Sequence, residues 1–305
     1  MNPKPQGIIV IDKPAGPSSF GVVKAVRRLL KVKKIGHLGT LDPFAVGVLP
    51  LCLNEATKLV PFLIDAPKTY RATIVLGTET NTQDSTGEVI AHCPQLPAPE
   101  EVYRVAAAFI GEQWQTPPLF SALHYQGQRL YQLARQGTLI DIPARRISIL
   151  DLAVESVNLP ELIMTVTCSK GTYIRTLAAD IGSRLGCGAH LQALQRQRVG
   201  PFTLDQAISL SSNPDEADVP GLLDHLIPLV DCLPHLPTLE VDSGMTAKLR
   251  QGQSMLLDGK LMEMAWARPE ERLKVVCERS LIAVAEVRDS VSARKVQPVR
   301  VFNPC

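Results

Sequence analysis

One glycine- and proline-containing segment, residues 36–53, constrains the fold of this chain more than any other. It reads GHLGTLDPFAVGVLPLCL, and Asp42 is its only acidic residue. Its three glycines tolerate backbone angles that other residues resist, while Pro43 fixes its own φ angle and restricts the residue before it. A single carboxylate is therefore held in a shaped, mostly apolar turn, which indicates a chemically active carboxylate.

A helix with a basic face is predicted directly before this segment. Ser18 or Ser19 can cap it, and its apolar pattern continues to about Leu30. Such a basic stripe is typical either of a solvated helix face or of a surface that contacts phosphates. The position before Asp42 favours the phosphate-contacting surface, whose residues would be Lys24, Arg27, Arg28 and Lys31.

Strand and helix patterns alternate along the first 210 residues. Strand patterns cover 7–11, 70–76, 147–157 and 162–168, and helical patterns cover 18–30, 56–64, 100–110 and 172–185. Thr172 is the expected N-cap of the last helix, and Gly186 ends it. We therefore expect an α+β fold, with a mixed, largely antiparallel sheet, flanking helices and a central catalytic cleft.

Further cations mark possible RNA contacts in the same region. Residues 116–146 mix aromatic side chains with arginines, which fits either an RNA-gripping flap or ordinary core packing. Arg175 falls in the first turn of a helix, where the helix dipole disfavours a cation unless an anion lies nearby. The remaining candidate RNA contacts are Arg129, Arg145, Arg146, Arg196 and Arg198.

Composition changes after residue 210. Residues 211–237 begin with an acidic, proline-containing stretch, which predicts a linker and a connecting helix. Residues 238–305 hold short alternating segments and one helical pattern, which predicts a small β-barrel or sandwich. We expect residues 1–210 to be the catalytic domain, with the flap at about 116–146.

Several function classes are excluded by what the sequence lacks. It has no G-x-x-x-x-G-K-[ST] or G-x-G-x-x-G motif and no His pairing typical of a metal site. The seven cysteines form no C-x-x-C pair, and no signal peptide or apolar run of about 18 residues occurs. We expect a cytosolic protein with no cofactor or metal, acting on a nucleic acid through a carboxylate nucleophile.

Four stretches resemble one family in the expected order. They are IDKPAGPSS, GHLGTLDPFAVGVLPL with the following ATKL, KTYRATIVLGTETNTQDSTG, and SKGTYIRTLAADIGSRLGCGAHLQALQR. Together they resemble the tRNA pseudouridine-55 synthases, known as the TruB family. The resemblance covers about residues 7–200. The C-terminal segment is less closely similar to the small RNA-binding PUA domain of many members.

The resemblance implies an isomerase that converts uridine 55 of the tRNA T-loop to pseudouridine by base flipping, without a cofactor. Asp42 matches the catalytic aspartate, which attacks either ribose C1′ or uracil C6. Tyr70 matches the tyrosine that stacks on the target base and is a candidate for removing the C5 proton. Arg175 matches a third active-site residue. The residues that match substrate contacts are Tyr173, Leu194, His37 and Lys13.

Physical chemistry adds one expectation of its own. The nucleophile must be ionised at neutral pH, and an adjacent arginine lowers the pKa of a carboxylate. We therefore expect Arg175 to pair with Asp42. The chain departs from the family in the flap, where Phe120 and His124 replace a usual tyrosine and lysine, which puts a hydrogen bond and a phosphate contact in doubt.

Two other functions stay open at this point. One is a pseudouridine synthase that depends on guide RNA, and the absence of lysine-rich tails argues against it. The other is a non-catalytic tRNA chaperone or binding module that uses the basic helix and the C-terminal segment. The expected partner is the T-arm of tRNA, with no membrane and no obligatory protein partner, and the expected state is a monomer.

Overall fold

The computed structural model describes residues 4–121, 124–125, 128–129, 141–210, 219–256, 271–289 and 294–303, with the backbone alone at 124–125 and 128–129. In this part of the chain the strands are β1 Gly7–Lys13, β2 Ile35–His37, β3 Val46–Leu53, β4 Lys68–Leu76, β5 Thr78–Thr80, β6 Val89–His92, β7 Gly111–Gln115, β8 His124–Tyr125, β9 Gln128–Arg129, β10 Arg145–Asn158, β11 Glu161–Cys168, β12 Ala189–Val199, β13 Phe202–Thr203, β14 Ile208–Ser209, β15 Thr238–Glu240, β16 Met255–Leu256, β17 Arg272–Cys277, β18 Ser280–Asp289 and β19 Arg294–Val301. The α-helices are α1 Ser19–Leu29, α2 Val60–Leu63, α3 Pro99–Ala107, α4 Ile174–Arg184, α5 Val219–Asp224 and α6 Ser243–Arg250.

A ten-stranded mixed sheet forms the centre of the molecule. Its main path runs β14-β1-β3-β12-β4-β11-β10-β7, with β2 on β3 and β13 on β12. The β1–β14 and β3–β12 pairs are parallel, and the other pairs in the sheet are antiparallel. The expected α+β fold with a largely antiparallel mixed sheet is confirmed.

Helix α1 forms as its sequence pattern predicts. The Ser18 Oγ atom accepts a hydrogen bond of 3.1 Å from the Gly21 backbone amide and so satisfies one of the free N–H groups of the first turn. Val22, Val23 and Val26 are buried against β1 and β3, where they share a hydrophobic cluster with residues of both strands. The basic side chains of the helix therefore face solvent.

Helices α3 and α4 cover one face of the sheet formed by β4, β10, β11 and β12. Buried side chains of both helices and of these four strands form one hydrophobic cluster. In the β4–β12 pair, Tyr70 lies opposite Arg196. Tyr70 and Arg196 are therefore cross-strand neighbours in the part of the sheet that these helices cover.

One local prediction needs correction. Thr172 does not cap α4, because its hydroxyl donates to the Ser169 carbonyl at 3.0 Å and Tyr173 is the N-cap residue. Strands β5 and β6 form a short antiparallel hairpin apart from the main sheet.

The segment 219–237 is packed into the protein, although its proline-containing composition predicts a linker. Leu222 lies in the cluster beside α1, and Cys232 and Leu233 lie in a cluster with Ile8 of β1. All three side chains are fully buried. Prolines indicate where the chain turns, but they do not indicate whether the apolar residues between the turns are buried in a core.

A second, five-stranded sheet follows, in the order β15-β17-β18-β19-β16, with α6 packed beside it. Leu281, Val284 and Phe302 of this region are buried in the same cluster as Ile8. The Lys58 ammonium also donates to the Val301 carbonyl at 3.0 Å. The C-terminal sheet therefore packs directly on the first part of the chain, and the domain limits at 210 and 238 remain a prediction.

Candidate active site

The loop between β2 and β3 carries Asp42 and is shaped by two glycines. Gly39 has a φ of 113° and Gly47 a φ of 101°, which side-chain-bearing residues rarely adopt. A Cβ atom at Gly47 would also lie 2.3 Å from the Arg196 carbonyl oxygen. The third glycine of the segment, Gly36, lies in strand β2 and has no positive φ. Two of the three glycines therefore have the predicted role.

Side chains from β1 and α1 hold the same loop from beneath. The Lys13 ammonium is fully buried and donates to the carbonyls of Pro14, Pro43 and Ala45 at 2.7, 3.1 and 2.8 Å. Ser19 Oγ pairs with both the amide and the carbonyl of Leu41. Lys13 was expected to contact substrate, but its amine is used to fix the loop and does not line the cavity.

Asp42 is paired with Arg175, as expected. Arg175 Nε lies 2.9 Å from Asp42 Oδ2, and Arg175 Nη2 donates to Asp42 Oδ1 at 3.4 Å. The guanidinium is itself oriented by the carbonyls of Thr82 and Phe120, at 3.2 and 2.8 Å. Its Nη1 atom also lies 3.6 Å from the buried carboxylate of Asp84. The cation in the first turn of α4 thus has two carboxylates as partners.

The net effect on the pKa of Asp42 differs from the expectation. Burial raises the pKa of this carboxyl above its usual value, and the nearby Asp84 carboxylate raises it further. Arg175 opposes both effects but does not outweigh burial. The arginine therefore limits the increase in the pKa of Asp42 but does not lower the pKa below its usual value. The sequence could not predict this, because it does not show how strongly the folded chain desolvates the carboxylate.

A cavity of about 370 Å³ opens beside the Asp42 carboxylate. Five of the seven predicted catalytic and substrate-binding residues line it together: Asp42, Tyr70, Tyr173, Arg175 and Leu194. Two of the predicted RNA contacts, Arg145 and Arg196, also line it, and the other lining residues are Gly39, Thr40, Leu41, Lys68, Ser121, Gly171, Thr172 and Ile174. Six chain segments therefore meet at this cavity, namely 39–42, 68–70, 121, 145, 171–175 and 194–196.

Tyr70 forms part of the cavity wall and is almost completely buried. Burial raises the pKa of its phenol, whereas a hydrogen bond and the positive charge of Arg196 lower it. Arg196 was expected to contact RNA, but this side chain has no exposed surface. A β-bulge between Arg196 and Arg198 explains the difference, because it turns the two arginines, two residues apart, to opposite faces of β12.

Tyr173 is held at the mouth of the cavity by polar contacts. The Gln115 side chain accepts from the Tyr173 amide at 2.7 Å and donates to its carbonyl at 3.0 Å. The Arg145 guanidinium lies 4.9 Å from the centre of the Tyr173 ring, which is a cation–π distance. Arg145 also donates to the Gly171 carbonyl. An arginine and a tyrosine are thus stacked at the cavity that Asp42 also lines.

His37 lies in strand β2 and does not line the cavity. Burial lowers the pKa of its imidazole, and the charge of Arg196 lowers it further. Its Nδ1 atom is buried and has no hydrogen-bond partner in the described part of the chain. The ring is therefore favoured in its neutral form.

Most of the predicted RNA-contacting cations lie at the surface. The exposed ones are Lys24, Arg27, Arg28, Lys31, Arg146 and Arg198, while Arg145 is half-buried. The side chain of Arg129 lies outside the described residues. The cations of α1 therefore form one basic surface region, and Arg145 lines the cavity.

Two residues of the site were not predicted. Asp84 is buried, accepts from the hydroxyls of Thr82 and Thr86 at 2.8 and 2.6 Å, and faces Arg175. The sequence contained a sign of this role, because Asp84 is the acidic residue nearest the C-terminal end of the polar segment GTETNTQDSTG. Lys68 lines the cavity and donates to the carbonyls of Ile64 and Ala66. Lys68 is the first residue of β4, and nothing in the sequence around it indicated a role in the site.

No group of three or more His, Cys, Asp or Glu side chains is arranged to hold a metal ion among the residues described. In the same part of the chain no helix is long and apolar enough to cross a membrane.

Two solved structures have a similar fold over almost the whole chain. A chain in the structure of an H/ACA RNP bound to a substrate RNA containing 2′-deoxyuridine matches 100% of this chain and 92% of its own length, with a TM-score of 0.73 and 23% identity. A chain in a Cbf5-Nop10-Gar1 complex matches 98% of this chain and 85% of its own length, with a TM-score of 0.71 and 26% identity.

Sequence comparisons identify the family. The model of the N-terminal domain of the TruB family pseudouridylate synthases matches residues 27–174, and the model of the C-terminal domain of tRNA pseudouridylate synthase B matches residues 175–227. A tRNA pseudouridine synthase B of Geobacter sulfurreducens is 42% identical over 97% of this chain and 99% of that protein. The corresponding protein of Syntrophomonas wolfei is 40% identical over 97% and 98%. Together with the Asp42 site, these matches show that the chain belongs to the TruB family of pseudouridylate synthases.

Proposed function

We propose that this protein is a tRNA pseudouridine synthase that isomerises uridine 55 of the T-loop. The observation that carries the proposal is the Asp42 carboxylate, paired with Arg175 at 2.9 Å and open to a cavity walled by Tyr70. Relatives at 40% and 42% identity over 97% of the chain are named tRNA pseudouridine synthase B, which supports tRNA as the substrate.

The proposed reaction uses Asp42 as the nucleophile. Its carboxylate forms a bond to ribose C1′ or to uracil C6, and the C1′–N1 bond breaks. The uracil then turns, a C1′–C5 bond forms, the proton on C5 leaves and N1 gains a proton. The carboxylate is released, so the product is an isomer of the substrate and no atom is gained or lost. Arg175 keeps the carboxylate in its reactive form and orientation.

The cavity fits an extruded base and not a stacked one. A uracil inside a folded T-loop must leave its stack before Asp42 can reach it, and stacking on an aromatic side chain returns about 1–3 kcal/mol per base. In the proposal Tyr70 stacks on the base and removes the C5 proton, while Leu194 and Tyr173 line the pocket. His37, neutral and half-buried in β2, helps to flip the base from outside the cavity.

The rest of the tRNA is proposed to lie along the basic surfaces. The cations of α1, together with Arg145, Arg146 and Arg198, would contact phosphates of the T-arm. The five-stranded C-terminal sheet would bind RNA as a PUA-like domain, with the catalytic domain ending near residue 210. We further propose that the protein is a monomer that needs no cofactor and no obligatory protein partner. It would act on tRNA in the cytoplasm.

The likeness to chains of H/ACA complexes raises a second possibility, a synthase that depends on guide RNA. The two proposals differ in one measurable requirement. A stand-alone enzyme modifies tRNA as the purified protein, whereas a guide-dependent enzyme needs an added RNA and partner proteins. The sequence relatives, which match nearly their whole length, favour the stand-alone enzyme.

The test uses the purified chain and an unmodified tRNA transcript. Pseudouridine is mapped by position in the product, with a transcript carrying cytidine at position 55 as the substrate control. We expect modification at position 55 alone, and we expect Asp42→Asn to abolish it while tRNA binding persists. Modification by Asp42→Asn would contradict the nucleophile assignment. An inactive wild-type protein that gains activity with guide RNA and partners would establish the second possibility.

A further inference from the structure

Arg196 is a fully buried arginine whose charge has no acidic partner. Its side chain is 0% exposed, and the described residues form no ion pair with it. The guanidinium remains charged in proteins, and burying an unpaired charge is strongly unfavourable. Such a residue is tolerated only where its hydrogen bonds are satisfied, so its partners indicate its role.

Those partners bracket the loop that carries Asp42. Arg196 Nη2 donates to the Gly39 carbonyl at 3.0 Å, and Nη1 donates to the Thr40 carbonyl at 3.3 Å. Its Nε atom donates to the Val48 carbonyl at 2.7 Å. Gly39 and Thr40 precede Asp42 and Val48 follows it, so one planar guanidinium holds both ends of the turn.

The same guanidinium reaches the strand on the other side. Arg196 lies opposite Tyr70 in the β4–β12 pair, and the positive charge of its guanidinium lowers the pKa of the Tyr70 phenol. Both residues line the cavity beside Asp42. Arg196 therefore holds the loop of the proposed nucleophile and is the cross-strand neighbour of the proposed base-stacking tyrosine.

We propose that Arg196 is a positioning residue, which fixes the distance between the Asp42 loop and the Tyr70 hydroxyl. This role rests on the proposed function, because it requires both residues to act on one nucleotide. Nothing in its geometry requires Arg196 to touch RNA. Lysine cannot replace it fully, since a single ammonium lacks the planar fork that reaches three carbonyls.

The test compares Arg196→Met and Arg196→Lys with a matched control. Arg71→Lys is that control, because Arg71 is the neighbour of Tyr70 in β4, pairs with the exposed Glu155 at 2.7 Å and does not line the cavity. The measurements are the single-turnover rate at saturating tRNA, the tRNA dissociation constant and the thermal midpoint. The wild-type protein is assayed first, and its failure to make pseudouridine would overturn the proposed function itself.

Misplacing reacting groups by about 1 Å costs about 100-fold in rate, so we expect at least that loss for folded Arg196→Met with unchanged tRNA binding. Arg196→Lys should fall between Arg196→Met and wild type, and Arg71→Lys should match wild type. Adding Tyr70→Phe to Arg196→Lys should cost less than the two separate losses predict, because the two residues are cross-strand neighbours and the proposed role couples them.

Three results would overturn the role. They are a wild-type single-turnover rate in either folded Arg196 variant, a loss that lies only in tRNA binding, and fully additive effects with Tyr70→Phe. If Arg196→Met does not fold, Arg196→Lys decides the question, since it keeps the buried charge.

Discussion

The Nε atom of Arg175 lies 2.9 Å from the Oδ2 atom of Asp42, and the same guanidinium faces Asp84 at 3.6 Å. Arg175 is almost completely buried, so its orientation is set by these carboxylates and by two backbone carbonyls. A buried cation between two carboxylates acts as a fixed support for the one that faces the cavity.

Arg175→Lys should therefore slow catalysis although it keeps the charge. A lysine cannot contact Asp42, Asp84 and two carbonyls together, and we expect a loss of about 100-fold or more in the single-turnover rate. Arg184→Lys is the control, because it changes the same residue type in the last turn of the same helix, where the guanidinium lies over Phe109. Equal rates for the two variants would show that the fork geometry of Arg175 is unimportant.

The raised pKa of Asp42 predicts the acidic side of the pH–rate profile. In the proposed reaction Asp42 acts as the ionised carboxylate, so the rate should fall as the pH drops through the pKa of Asp42. Burial raises that pKa, and Asp84 adds to the increase, so the midpoint should lie above the ordinary aspartate value of about 3.9.

Asp84→Asn gives the internal check on this profile. It removes a negative charge near Asp42, so the midpoint of the acidic limb should move to lower pH. The measurement is the single-turnover rate against pH at saturating tRNA. A midpoint that stays in place, or rises, in Asp84→Asn would contradict the electrostatic account.

The tight fit of Gly47 against β12 predicts a stability effect. In Gly47→Ala a Cβ atom would lie 2.3 Å from the Arg196 carbonyl oxygen, and the φ of 101° would be strained as well. Gly16→Ala is matched in backbone, with a φ of 104°, but its Cβ would meet nothing within 4 Å. Strain alone costs about 1–3 kcal/mol, so Gly47→Ala should lower the unfolding free energy by clearly more than Gly16→Ala in denaturant titrations. Equal losses would mean that the loop moves away from Arg196 at little cost.

The sequence predicted the parts of the site that local chemistry determines. A lone acid among glycines and a cation in a first turn, together with the resemblance that placed both in one active site, predicted the pairing of Asp42 with Arg175, 133 residues apart. Ser18 caps its helix as expected, because N-cap preference is a local property. The same preference failed at Thr172, whose hydroxyl donates to the Ser169 carbonyl instead.

Long-range effects could not be predicted in the same way. The bulge in β12 separates Arg196 from Arg198, and its place depends on how β12 aligns with β4. Whether the pKa of Asp42 is raised or lowered depends on how deeply the folded chain buries the carboxylate. The roles of Lys13 and of the 219–237 segment also became visible only when their burial was known.

Burial of Lys13 predicts a pH-dependent contribution to stability. Burial lowers the pKa of its ammonium from 10.5 to about 8. Between these two values the unfolded chain holds more protons at this residue than the folded protein, so the contribution of Lys13 to stability rises with pH. The shift of 10.5 − 8 = 2.5 units corresponds to about 3 kcal/mol at most.

Comparison with Lys13→Met isolates this effect, because all other groups titrate in both proteins. The difference in unfolding free energy, wild type minus variant, should increase between pH 8 and 10.5 and stay level below pH 8. Lys58→Met is the control, since Lys58 forms an ion pair with Glu55 and is part of neither the loop nor the cavity. A flat difference for Lys13→Met over this range would mean that its ammonium stays charged in the fold.

The exposed cations of α1 predict a salt-dependent part of tRNA affinity. Each lost phosphate contact should lower the slope of log K against log salt by about 1 and weaken all RNAs alike. Arg27→Gln should show this change, because Arg27 is exposed on the helix just before the Asp42 loop. Arg104→Gln removes the same charge from the exposed face of α3, where Arg104 pairs with Glu101. Filter binding of tRNA across a salt series measures both slopes, and the same slope in both variants would exclude α1 as the phosphate-contacting surface.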